Sequence, residues 1–170
     1  MTTIALKSAG YTAKANLFND LTLTIGSGDR VGIVAGNGAG KTTLLTCLTG
    51  ENEFTRGDIT LSRGARIGMV PQVVPEKLFD LSLFDAVATG LDAETLESES
   101  WRVDVVLDTL STPEDIRNLP VRALSGGWQR LMLLMRAWVS DPDILVLDEP
   151  TNHLDLEKIT ALEQWFAGIG

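Results

Sequence analysis

The sequence predicts an α/β fold with a central, mainly parallel sheet, antiparallel strands near the N-terminus and a small helical subdomain at about residues 73–126. Three observations carry that expectation. The apolar run Val31-Gly-Ile-Val-Ala35 reads as a buried strand and leads into a glycine-rich loop and then a helical stretch, Lys41 to Leu48. A second apolar run, Ile144 to Leu147, ends in the acids Asp148 and Glu149. Between them, residues 75–118 change to a helical period.

The elements follow in order. Leu21, Leu23 and Ile25 alternate with polar residues as a half-buried strand does, and Gly26-Ser-Gly-Asp29 supplies a turn. Leu81 to Thr89 and Trp101 to Leu110 read as helices, the second with Trp101, Val105, Val106 and Leu107 as its apolar positions. A further helix runs from about Gly127 to Val139 and is broken by Ser140-Asp-Pro-Asp143. The strand Ile144 to Leu147 follows, and then a helix from about Leu156 to Phe166 capped by Asp155. A parallel strand is expected after that helix, so the sequence reads as an incomplete domain.

Composition narrows the class. A chain of 170 residues, 44% hydrophobic and 22% charged, is expected to form one soluble domain. No apolar run approaches the roughly 18–20 residues that a membrane span needs, and Met1 to Gly10 lacks the pattern of a signal peptide. The expected location is cytoplasmic, with no direct membrane insertion. Cys47 is the only cysteine and sits among Leu44, Leu45 and Leu48, which reads as a packed small hydrophobe. The net charge of −9 concentrates in residues 73–118, where eleven acids face three bases. Such a stretch repels nucleic acid and anionic lipid, and it reads as a solvated acidic face.

The chemistry lies in motifs. Ala35, Gly36, Asn37, Gly38, Ala39, Gly40, Lys41, Thr42 and Thr43 stand between an expected strand and an expected helix, the context of a phosphate-binding loop. Backbone N–H groups in such a loop cradle anions, and the helix N-terminus adds a favourable dipole. Lys41 would reach the β and γ phosphates of ATP, and the Thr42 hydroxyl would ligate Mg²⁺. Ala35 stands where the strict pattern has glycine, which is tolerable only if that position does not need positive φ. Asp148 and Glu149 end an apolar strand, where open α/β sheets bind ligands. Asp148 would hold Mg²⁺, and Glu149 would polarise the attacking water.

With Leu124-Ser-Gly-Gly127 a short distance before the Asp-Glu strand, the three motifs in this order resemble the ABC ATPases, in which this tetrapeptide is the signature that begins a helix. The resemblance implies that Ser125, Gly126 and Gly127 serve nucleotide bound by a second nucleotide-binding domain. It maps Gln72 onto the family's glutamine loop, which senses Mg²⁺ and the attacking water, and Tyr11 onto the aromatic that stacks on adenine. On this reading Glu149, Gln72 and Lys41 are catalytic, and Thr42, Gln72 and Asp148 hold the metal. Residues 1–72 and 127–170 form the ATP-binding core, and residues 73–126 form the helical subdomain with the signature.

Within the family, Asp148-Glu-Pro-Thr-Asn-His153-Leu-Asp155 and Trp128 look like the first domain of the ABC-F class, of which many members act on ribosomes. His153 belongs to that turn and is not the family's switch histidine. Asp155 is expected either to line the facing domain or simply to cap its helix. The resemblance implies ATP hydrolysis in a two-domain or dimeric protein, with a ribosome as a family-level partner. It leaves open the energy subunit of a transporter, and a non-catalytic nucleotide-binding piece.

Overall fold

The computed structural model describes residues 4–13, 16–151 and 154–168. Contacts divide the chain into two compact units, residues 1–67 and 68–170, each with its own architecture.

In the first unit, β1 (Ile4–Thr12) lies between β2 (Asn16–Ile25) and β3 (Arg56–Leu61), antiparallel to both. Leu6 faces Leu23 on one side and Ile59 on the other. Along β2 the half-buried Leu21, Leu23 and Ile25 alternate with exposed threonines, as the sequence pattern requires. Along β1 the inward parity changes after Leu6, so that Ile4, Leu6 and then Ala9 are buried. The cause is a bulge in which Ser8 adopts φ 48°, adding one residue and turning the strand over. Gly57 on β3 approaches this bulge with φ 72°, and a Cβ there would lie 2.3 Å from the Ser8 carbonyl oxygen. No residue with a side chain fits at that position.

The turn at 26–29 forms as expected: the Asp29 N–H donates to the Gly26 carbonyl at 3.2 Å, and the Asp29 carboxylate accepts from the Gly26 N–H at 2.7 Å. The strand expected at Val31 to Ala35 does not form. A central parallel strand exists by its ladders to neighbours, and none of the described strands pairs with this run. Its apolar side chains are therefore exposed, Val34 at 97%. After the glycine loop, α1 (Lys41–Leu48) buries Leu44, Leu45, Cys47 and Leu48, which confirms Cys47 as a packing residue. Burial raises its thiol above the usual cysteine range.

In the second unit, β4 (Ile67–Val70) pairs with β5 (Ile144–Leu147). Just beyond their ends the Asp148 N–H donates to the Val70 carbonyl at 3.1 Å. The helices are α2 (Leu83–Ala88), α3 (Ala93–Glu99), α4 (Trp101–Thr109), α5 (Glu114–Arg117), α6 (Gly126–Trp138) and α7 (Leu156–Gly168). Their starts are written in the sequence: Ser82, Asp92, Ser125 and Asp155 each accept a hydrogen bond from the backbone N–H three residues on.

The core gathers on α6. Leu131, Met132, Leu133, Leu134 and Met135 are all buried there and belong to one cluster with Leu83, Ala86 and Val87 of α2 and with Val103, Val106 and Leu107 of α4. The inward stripe of α4 is thus Val103, Val106, Leu107 and, just beyond it, Leu110, spaced at three, four and seven residues. Trp101 and Val105, expected on the apolar face, are instead half or more exposed, Trp101 at 57%. They lie off the stripe that begins at Val103. The Trp165 ring meets Trp138 edge-on at 4.8 Å, and the Lys158 ammonium lies 5.7 Å from the Trp128 ring, so α7 packs along α6.

Candidate nucleotide-binding site

The phosphate-loop residues of the first unit form an exposed, turn-rich segment closed by α1. The Ala39 N–H donates to the Gly36 carbonyl at 3.2 Å, making a turn that leads through Gly38 (φ 78°) and Gly40 (φ 90°) into the helix. Gly40 is confined twice over: its φ is left-handed, and a Cβ would lie 2.9 Å from the Leu17 Cβ. Ala35 is not among the residues with positive φ, so the condition for alanine at that position is met. Lys41 Nζ bends back over the loop, donating to the carbonyls of Ala35 at 2.9 Å and Gly36 at 3.2 Å. An ammonium held across the mouth of an open loop, at the N-terminus of a helix whose first N–H groups have no intrahelical acceptor, suits a polyphosphate. Tyr11 on β1 stacks against Phe18 at 6.4 Å, and Phe18 meets Phe54 edge-on at 6.3 Å, giving an apolar aromatic row on this unit.

In the second unit the acids and Gln72 come together. Asp148 is 3% exposed. Glu149 adopts φ 49°, a left-handed backbone that is uncommon without glycine and that clusters at functional sites. Gln72 Nε2 donates to Glu149 Oε2 at 3.0 Å, so the residue expected from the glutamine loop holds the expected base. Ser125 caps α6, accepting from the Trp128 N–H at 3.4 Å, and Gly126 and Gly127 form the first turn of that helix. Asp155 is the N-cap of α7, bonded to the Lys158 N–H at 2.9 Å and to its ammonium at 2.5 Å. The Lys158 bonds hold its carboxyl below the usual aspartate range. His153 and Asn152 lie outside the described residues.

One residue of this site escaped the sequence reading. Arg130 on α6 is 6% exposed and donates to three main-chain carbonyls: Pro71, Asp148 and, at 3.3 Å, Pro150. Burial lowers its pKa from the ordinary guanidinium value, and the charges of Asp148 and Glu149 oppose that shift. The signal was present in the sequence. Arg130 lies three residues after Gly127 and four before Leu134, both buried, so a cation stands on the apolar stripe of an amphipathic helix.

One unit carries open glycine amides and a lysine, the chemistry that binds phosphate, and the other carries carboxylate and amide oxygens, the donor type that a hard divalent cation takes, without a cluster of three or more acidic, histidine or cysteine ligands among the described residues. Residues 18–152 match the family model described as ABC transporter. The chain belongs to the ABC transporter family. It is an ATP-binding domain of that family, whose members hydrolyse ATP. It is 35% identical over 156 residues to YfmR of Bacillus subtilis, described as an uncharacterized ABC transporter ATP-binding protein; the match covers 89% of this chain and 24% of the relative. It is also 31% identical over 162 residues to the zinc import ATP-binding protein ZnuC of Hydrogenovibrio crunogenus, covering 90% of this chain and 62% of that one. It is 32% identical over 186 residues to the energy-dependent translational throttle protein EttA of Mycobacterium tuberculosis, covering 89% of this chain and 33% of that one. The chain therefore spans about a quarter to a third of YfmR and EttA. Its fold is that of the ATP-binding cassette MJ0796, solved as a dimer bound to ADP and Pi, with a TM-score of 0.81, 23% identity, and coverage of 96% of this chain and 81% of that one. Among the described residues no helix is long and apolar enough to cross a membrane.

Proposed function

We propose that this ABC domain binds Mg²⁺-ATP and, paired with a second nucleotide-binding domain, hydrolyses it as part of a cytoplasmic ABC-F type ATPase that acts on ribosomes. The observation that carries the hydrolytic reading is the bond from Gln72 to Glu149 at the end of β5, which aims a carboxylate from a fixed backbone. Lys41 and the amides from Gly36 to Thr43 hold the phosphates. Thr42, Asp148 and Gln72 would hold Mg²⁺, which would supply positive charge against the phosphates. Glu149 orients a water and accepts its proton as the water oxygen bonds to the γ phosphorus and the bond to ADP breaks. Tyr11 stacks on the adenine. Ser125, Gly126 and Gly127 present the N-terminus of α6 to nucleotide held by the facing domain.

The ABC-F assignment rests on Trp128, the Asp148 to Asp155 segment and the similarity to EttA. The similarity to the zinc import ATP-binding protein ZnuC favours a second reading, the energy subunit of a transporter. The deciding experiment follows the protein from its source: nucleotide-dependent cosedimentation with ribosomes supports the first reading, and copurification with a membrane permease replaces it with the second. Absence of ATP turnover by the paired protein, with Lys41→Ala making no difference to ATP binding, would overturn the hydrolytic reading.

A further inference from the structure

We infer that Arg130 is the positioning residue of the hydrolytic site: its guanidinium ties the signature helix to both chain segments that carry the water-handling pair. The inference rests on the function proposed above. Arg130 lies on α6 about 7.5 Å along the axis from the Ser125 cap, at 1.5 Å of rise per residue. Its acceptors flank the pair. The Pro71 carbonyl directly precedes Gln72, and the carbonyls of Asp148 and Pro150 bracket Glu149.

Both segments are tied by these bonds. Beyond β4 and β5 the described pairing ends with the bond from the Asp148 N–H to the Val70 carbonyl, after which both segments leave the ladder. Glu149 keeps a left-handed backbone, which persists only where the surroundings over-determine it. A planar guanidinium presents donors in a fixed fork and spans acceptors on separate segments, whereas an ammonium is a single point charge. Arg130 is only 6% exposed, so losing its donors would leave main-chain carbonyls short of partners where water reaches poorly, which raises the cost of the loss. Arg130 also sets its charge beside both acids. Its guanidinium donors are spent on main-chain carbonyls, and it acts by fixing where Gln72 and Glu149 stand.

Arg130→Lys separates this role from general support, because it keeps the charge and most of the stem. Backbone hydrogen exchange is compared between the variant and the parent protein without nucleotide, alongside binding of a fluorescent ATP analogue and steady-state turnover. The expected result is exchange about tenfold or more faster at the amides of Gln72, Asp148 and Glu149, with residues 83–88 and 103–107 unchanged. Analogue affinity stays within about twofold and KM is unchanged, while kcat falls about tenfold or more. Unchanged exchange at 72, 148 and 149 would overturn the inference. So would faster exchange spread equally over α2 and α4, or a loss of affinity that accounts for the whole loss of turnover. The exchange measurement needs no nucleotide, so it decides the role of Arg130 even if Lys41→Ala shows that the nucleotide reading is wrong.

Discussion

The two units solve different problems with different materials. In residues 1–67 the candidate site is an exposed loop of backbone amides and one lysine, and its key positions are held by the left-handed conformations of Gly38 and Gly40. In residues 68–170 it is a set of side chains, with a buried arginine bonding main-chain carbonyls over a continuous apolar core. Binding a highly charged phosphate group asks for accessible donors, which a glycine loop supplies. Aiming a carboxylate at a water asks for rigidity, which packing supplies.

The comparison can be broken by lesions that should act on one unit and spare the other. The largest effect is expected from Glu149→Gln, which should lower kcat of the paired protein about 10²–10⁴-fold while leaving ATP affinity near that of the parent, read by turnover and equilibrium titration. Normal turnover would remove Glu149 from the mechanism. Leu107→Ala deletes a fully buried side chain from the helical core and should cost about 2–5 kcal/mol in chemical unfolding of the second unit. If the phosphate loop lost ATP affinity in the folded variant to the same extent, the division of labour drawn here would not hold. Lys41→Ala should weaken ATP binding about 10- to 100-fold, the equivalent of a lost charge-assisted contact, with hydrogen exchange in residues 83–88 and 103–107 unchanged. The smallest effect sharpens the picture of the core: Ser82→Ala removes the cap of α2, which accepts from the Asp85 N–H at 3.0 Å, and should cost about 1 kcal/mol. Thermal unfolding monitored by circular dichroism would show it, and an unchanged midpoint would mean that tertiary contacts alone hold that helix.

The sequence was most informative where one residue type answers one physical demand. Lys41 to Leu48 and Ile144 to Leu147 form with the expected bounds, because a glycine loop ends where its helix starts and an apolar strand ends at its acids. The cap Asp155 was legible for the same reason. It was least informative where a residue's place depends on partners distant in sequence. Val31 to Ala35 has the composition of a buried strand, but composition does not supply the ladder that makes one. Trp101 and Val105 have apolar side chains at helical spacing, yet the phase of α4 was set by Val103 and its neighbours packing under α6. Arg130 could be seen as a cation on an apolar stripe, but its three acceptors lie as far as 59 residues away along the chain, beyond any local pattern.

The acceptors of Arg130 are all peptide oxygens, which every amino acid provides. The bonds that Arg130 makes to the segments carrying residues 72 and 149 therefore do not depend on the side chains of its acceptors. Mutation can retune or silence the chemistry there, one substitution at a time, without dismantling the frame that aims it. A domain built in this way can pass through inactive sequences and remain folded, which leaves a lineage free to keep the architecture of an ATPase while giving up its turnover.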